Sequence, residues 1–527
     1  MKNLKNKIIK NKNLRDLAFL SFIILGAVLL RTIHLGMFGF WWDELYHVLA
    51  AQSINKIGHP FIPLQGDYTR ALPFTYIISI FFKLFGTSEV SARLPSVIFN
   101  ITFIILSFFI IRKWFNRSIA FLFIIVISFS PFTIVLAREC RMYTLFQLLY
   151  FLGAYFFFLG FENNNHRLQL FKKIESEYKI NIFYLVISSV LLIIASRIHA
   201  LTYNFGIVVI GYSFFLFLYT WKNKGLFKSI NSKYFFTVIL SAFSILIILI
   251  IDKTFIMGMI RTAQDIPVWT SYKVSNFNYY RYFLSESYPV IFFIYPLSIC
   301  LMIKEDGKKG FFVFSSFIFL IILHIFVFKR QWERYIFYIF PFFVLGGVYL
   351  IDKIIKYVWE YTSSNFSGVP VFMKFILIIA SLSAFNSFAY PWMGNSKNVY
   401  KSSKFSRWEN IPQKIIDEVK QGKIITTRQM AYIDKFKDMP DYFMRSIPVL
   451  KYVHDDKYNI QVINNFNKLE KIFIKESEPL YVVVTPWTLN NNTITTKKMR
   501  NYILSNCSRF YVGTRREIII FKRLPTS

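Results

Sequence analysis

Apolar runs of about 17 to 22 residues recur from the N-terminus to about residue 390 and then stop. Each matches the ~20 residues that a helix needs to cross the hydrocarbon core of a bilayer. The reading predicts eleven spans, at roughly 16–34, 94–111, 118–136, 142–161, 181–196, 201–221, 234–251, 288–303, 310–328, 335–351 and 371–390. Composition agrees: 55% of the 527 residues are hydrophobic and 20% aromatic, well beyond a soluble chain. The expected fold class is therefore a mainly α, polytopic membrane protein, with a domain at 1–393 and a small α/β domain at 394–527.

The net charge of +33 would ordinarily suggest nucleic acid. Yet the Lys and Arg do not form one patch interleaved with aromatics, so nucleic acid is not expected as a partner. They sit mainly in loops between apolar runs, as in cytoplasmic loops facing anionic membrane lipids. Cys140, Cys300 and Cys507 show neither metal-ligand spacing nor a disulfide framework. The basic start MKNLKNKIIKNKNLR precedes Leu17–Leu30 as in a signal peptide, but Arg31 and His34 follow instead of a cleavage site. An uncleaved first helix with a cytoplasmic N-terminus is expected.

The segment 72–85 is also apolar, and charge parity decides its place. If it lies along the interface, the loops at 112–117, 167–179, 222–233, 304–309 and 353–356 all become cytoplasmic, as the positive-inside bias demands. This topology, in a cell (inner or plasma) membrane, puts 35–93, 253–287 and the tail outside. The tail alternates a helix (412–420), strands (423–427 and 480–485), a helix (495–504) and a final strand pair (510–514, 517–522).

Chemistry is expected in the outer loops. Phe40-Trp41-Trp42-Asp43-Glu44-Leu45-Tyr46-His47 places two carboxylates directly after interfacial aromatics. Transfer of a glycosyl group to a hydroxyl or amine needs a base for the acceptor proton, and partial desolvation strengthens a carboxylate as a base. Asp43 is the candidate, with Glu44 as orienting partner or second acceptor contact. Read alone, Asp43 fits better as a cap for a helix through Glu44 to Ser53 than as a base, and the rest of the chain shifts that balance.

Seven outer arginines run against the positive-inside bias: Arg70, Arg93, Arg138, Arg141, Arg197, Arg330 and Arg334. Taken singly, each is also explained by snorkelling or by a salt bridge, with Glu139 beside Arg138 and Glu333 beside Arg334. As a set they call for an anion, and a lipid phosphate suits the planar guanidinium fork. Arg70, Arg138, Arg141, Arg197, Arg330 and Arg334 are the candidates for donor phosphate. Trp42, His47, His59, Tyr68, Arg93, Tyr143, His199 and Tyr335 are candidates for a substrate cavity. An acidic loop can hold a divalent cation, but hard cations want several oxygen ligands and no second acidic cluster accompanies Asp43; no metal ligand is assigned.

The ordered stretches WWDELYH, LFGTSEVSARLPSVIFN, ARECRMY and ERYIFYIFP resemble landmarks of the GT-C membrane glycosyltransferases of the protein O-mannosyltransferase and lipid A aminoarabinose transferase kind, with their bacterial relatives of the Rgt type. The resemblance covers much of residues 35–345. It implies a GT-C fold, a polyprenyl-phosphate-linked sugar donor, a lipid, glycan or protein acceptor, juxtamembrane helices in the first outer loop, and Asp43 in the catalytic acidic position. Where the aminoarabinose enzymes have a lysine followed by two prolines, this chain reads Thr69-Arg70-Ala71-Leu72-Pro73, with Arg70 as the stand-in cation. Two other classes stay open: a transporter or flippase of lipid-linked saccharides, and a non-catalytic assembly or sensor subunit.

Overall fold

The computed structural model describes residues 2–37, 39–62, 66–163, 169–230, 232–251, 274–365, 411–444, 461–492, 494–513 and 518–523. The expected span at 371–390, the expected domain boundary at 393/394 and the first part of the outer loop 253–287 lie outside the described residues. Chain contacts divide the molecule into two compact units. One comprises 1–33, 96–138 and 142–389, the other 34–95, 139–141 and 390–527.

The first unit is helical. Among the described residues, four helices are long and apolar enough to cross a membrane: Glu89–Trp114, Tyr143–Glu162, Ala200–Asn223 and Gly307–Phe326. Three pairs bent by 60°, 89° and 103° raise the number to as many as seven. The count differs from the expected eleven, although the ten expected spans within the described region each fall on a helix or bent pair. One break comes from local chemistry: Ser130 leaves the helical region just before Pro131, which disfavours helical geometry in the residue preceding it.

Helix contacts in this unit are close where side chains are small. A Cβ on Gly160 would stand 2.7 Å from the backbone nitrogen of Leu185, so the Tyr143–Glu162 and Ile182–Ile198 helices approach to a distance that only glycine permits there. Arg31 is fully buried and donates to Asn100 Oδ1 (2.6 Å) and to the carbonyls of Ala27 (3.0 Å) and Ser128 (2.9 Å), tying the Lys2–Thr32 helix to its neighbours. Those bonds meet the requirement that a buried charge be hydrogen-bonded.

The second unit holds the first-loop helices and the tail. Trp42–Ile57 packs against Leu72–Phe85, and a short hairpin, β1 (Phe61–Ile62) with β2 (Gly66–Asp67), connects them. The tail forms a six-stranded sheet in the order β5-β4-β3-β6-β8-β7. These strands are β3 (Lys423–Thr426), β4 (Tyr442–Met444), β5 (Gln461–Ile463), β6 (Leu480–Val484), β7 (Cys507–Val512) and β8 (Ile519–Arg523). The first four are parallel, and β7 and β8 run antiparallel. Every residue of Leu-Tyr-Val-Val-Val in β6 is buried, the continuous apolar run of a central strand covered on both faces. Strands β4 and β5 and the helices Gln429–Phe436 and Phe466–Lys475 are additions to the expected tail pattern.

Candidate active site

The sequence's acidic pair opens a helix. Trp41 is extended and caps Trp42–Ile57, so Asp43 stands at the second helical position and Glu44 at the third. Glu44 Oε2 accepts the Trp41 backbone N–H at 3.1 Å, the reach-back half of a capping box. The cap role weighed for Asp43 thus belongs to its neighbours.

Glu44 has no exposed surface, and donors meet both its oxygens. Arg93 forks onto it through Nε to Oε1 (2.9 Å) and Nη2 to Oε2 (2.8 Å), while the Cys140 N–H reaches Oε1 at 2.6 Å. Arg93 in turn donates to the carbonyls of Leu35 (2.9 Å) and Gly39 (3.0 Å). A bidentate pair satisfied on both sides is the form in which a carboxylate tolerates complete burial. Of the two roles expected for Glu44, orienting partner or second acceptor contact, this geometry leaves the first, since both oxygens face protein donors; Arg93, expected on a cavity wall, lies in the protein interior.

Asp43 is left partly open, its side chain 23% exposed. Arg141 Nη2 stands 3.9 Å from Asp43 Oδ2, and Arg141 Nη1 donates to the Asp43 carbonyl at 2.6 Å. Behind it, buried His47 shares a 2.9 Å hydrogen bond between Nδ1 and Thr75 Oγ1, joining the two first-loop helices. Burial, with Arg141 adding to it, holds His47 well below the usual imidazole range, so the ring is neutral. Burial also pushes the Tyr68 hydroxyl and the Cys140 thiol up, which keeps both protonated.

Trp42, Tyr46 and Tyr68 form an aromatic row beside Asp43. Trp42 meets Tyr46 edge-on at 6.2 Å, and Tyr46 stacks on Tyr68 at 6.2 Å. Tyr46 was absent from the expected site, although its place four residues after Trp42 is a visible helical signal. Arg70 is exposed just before Ala71, which adopts a left-handed conformation (φ 47°) ahead of the next helix. His59 is exposed and stands 3.9 Å from Asp67 across the hairpin. Arg428, from the tail, lies with its guanidinium 4.9 Å above the Trp42 ring.

The first unit carries a separate group of expected residues. Arg334 lies over Trp332 (4.8 Å), Tyr335 (5.5 Å) and Tyr143 (5.9 Å). His199 stacks on Phe146 at 5.2 Å and approaches Tyr143 at 5.9 Å, while its Nδ1 accepts the Leu201 N–H and caps a 3₁₀ turn. Tyr143, His199, Arg334 and Tyr335 are therefore neighbours. Glu333 accepts a hydrogen bond from Tyr279 (2.5 Å). Arg197 is exposed at the end of its helix, and Arg330 is half-buried. Arg138 Nη1 caps the first helix by donating to the carbonyls of Leu30 (3.3 Å), Arg31 (3.1 Å) and Ile33 (2.7 Å). Among the described residues, no three His, Cys, Asp or Glu side chains gather to hold one metal ion.

The apolar helices are those of a multi-pass membrane protein, and likeness to solved structures shows its fold to be the GT-C fold of ArnT. Residues 69–249 match the family model described as dolichyl-phosphate-mannose-protein mannosyltransferase. Among solved structures, the chain is similar to ArnT from Cupriavidus metallidurans in the apo state, with TM-score 0.60 and 10% identity over 96% of this chain and 98% of that one. ArnT bound to undecaprenyl phosphate gives TM-score 0.60 and 12% identity, with 97% and 98% covered. The archaeal oligosaccharyltransferase AglB from Archaeoglobus fulgidus, in complex with an inhibitory peptide and a dolichol-phosphate, gives 0.58 and 12%, with 96% and 74% covered. No curated protein matches the sequence.

Proposed function

We propose that this chain is a glycosyltransferase that moves a sugar from a polyprenyl-phosphate-linked donor to a cell-envelope lipid, glycan or protein at the outer face of the membrane. One observation carries the reading: Asp43 presents a partly open carboxylate beside Arg141, on a helical turn that the buried Glu44–Arg93 pair fixes in place. The similarity to proteins whose structures hold undecaprenyl phosphate and dolichol-phosphate supports the choice of donor.

In the proposed step Asp43 takes the proton of an acceptor hydroxyl or amine. The acceptor atom bonds to the sugar's anomeric carbon as the carbon–oxygen bond to the lipid phosphate breaks, and the phosphate leaves with the bonding pair. Guanidinium groups neutralise the departing oxygens and lower the barrier where charge develops. Arg141, which stands beside Asp43, is the first candidate, and Arg70, Arg197, Arg330 and Arg334 are the others proposed from the sequence. Glu44 and Arg93 act by holding Asp43, and Arg138 by holding the end of the first helix.

The test uses purified protein in lipid nanodiscs, labelled polyprenyl-phosphate sugar, and cell membranes as the source of acceptor. Asp43→Asn is expected to slow transfer by roughly 10²- to 10⁴-fold, the range for loss of a general base. Turnover at the parental rate would remove Asp43 from the chemistry. On the donor side, Arg141→Gln or Arg334→Gln is expected to weaken undecaprenyl phosphate binding by roughly tenfold or more, as loss of a charged hydrogen bond does. Affinity equal to the parent in both variants would count against the phosphate role.

A further inference from the structure

The tail meets the acidic helix at a particular edge of its sheet. Strand order reverses beside β3: the chain runs outward through β4 to β5 and then returns to β6 on the other side. In open parallel sheets the carboxyl ends of the strands at such a reversal are where ligands are held. Here the segments leaving that edge are Thr427-Arg428 after β3 and Thr485-Pro486 after β6.

Threonines brace this edge from both strands. Thr426 Oγ1 donates to the Val483 carbonyl (3.0 Å) and accepts the Arg428 N–H (3.1 Å), while Thr427 and Thr488 join through their hydroxyls at 2.8 Å. Arg428 therefore stands on a fixed mount, directly before the Gln429–Phe436 helix, which packs on Trp42–Ile57. Its guanidinium covers the ring of Trp42, the residue immediately before Asp43. Trp42 continues the contact to Tyr46 and Tyr68.

We propose that Arg428 is a positioning residue: through Trp42 it sets the first turn of the acidic helix, so the C-terminal domain tunes acceptor activation at Asp43 from outside the reacting atoms. A planar guanidinium over an aromatic face is attractive and directional, so it fixes the ring without touching substrate. This inference rests on the reading of Asp43 as the base.

The experiment combines a spectroscopic and a kinetic readout on the full-length protein in nanodiscs. The protein is labelled with 5-fluorotryptophan, and the Trp42 ¹⁹F resonance is assigned with Trp42→Phe. Arg428→Ala is expected to shift that resonance and slow transfer about tenfold while undecaprenyl phosphate affinity stays at the parental value. Arg428→Lys, which keeps the charge but not the plane, is expected to restore part of the rate. Transfer at the parental rate in Arg428→Ala would overturn the inference, as would a loss of rate matched by an equal loss of undecaprenyl phosphate affinity. If Asp43→Asn also transfers at the parental rate, the functional reading itself fails; if only the Arg428 variants do, that reading stands and the positioning role does not.

Discussion

Complete burial of a carboxylate is tolerated when donors meet both oxygens, and Glu44 has the Arg93 fork and the N–H groups of Trp41 and Cys140. Removing one partner leaves the other as an uncompensated buried charge, so Glu44→Ala is expected to cost about 3–5 kcal/mol, read as a lowered thermal midpoint in detergent. An unchanged midpoint would refute that role for the pair. Asp43→Asn, partly open and outside that clamp, is expected to lower the midpoint less than Glu44→Ala does while losing transfer. His47 adds a pH dependence with a definite sign. Its folded imidazole binds a proton only well below the usual range, whereas the unfolded chain binds one below about pH 6.5. Stability therefore declines as pH falls through that value, by up to about 1.4 kcal/mol per unit, and is flat above it. His47→Gln is expected to flatten the slope between pH 6.5 and 5; an identical slope in the variant would assign it to other groups.

At the scale of elements, Leu72–Phe85 follows from its length. Its 14 residues span about 21 Å at 1.5 Å each, short of the ~30 Å hydrocarbon core. One face, with Phe74, Ile78 and Phe82, is buried, while Ile80, Leu84 and Phe85 are exposed, so the helix turns one apolar face to the protein and another outward, where lipid is expected. A spin label at Leu84 is expected to report headgroup depth, and one at Leu106, exposed on Glu89–Trp114, hydrocarbon depth; equal depths would contradict the interfacial reading. Long runs and the alternating strands of the tail were legible because each is a local pattern: Leu480–Val484 and Lys423–Thr426 lie within one residue of their expected bounds. The partners of the charged residues were not legible, because they are set by contacts between distant segments. Arg93 and Glu44 are 49 positions apart, and Arg138 meets carbonyls more than a hundred positions away. Nothing local marks Arg428 as the neighbour of Trp42. By contrast, Tyr143, His199, Arg334 and Tyr335, all candidates from the sequence, stand as neighbours in the fold.

For the whole molecule the open quantity is sidedness, which follows from charge rather than packing. Basic residues at 112–117, 222–233, 304–309 and 353–356 are expected in the cytoplasm because moving them across the membrane during insertion is unfavourable. The tail and the Trp42–Ile57 helix belong to one compact unit, so locating the tail also locates Asp43. In a background lacking Cys140, Cys300 and Cys507, single cysteines at Lys309 and Lys475 separate the two orientations. An impermeant maleimide added to intact cells is expected to label position 475, and position 309 only after the membrane is opened. The reverse pattern would put the acidic turn on the cytoplasmic face, where an acceptor outside the cell could not reach it, and the proposed transfer would have to be abandoned even with Asp43 and Arg141 in their present geometry.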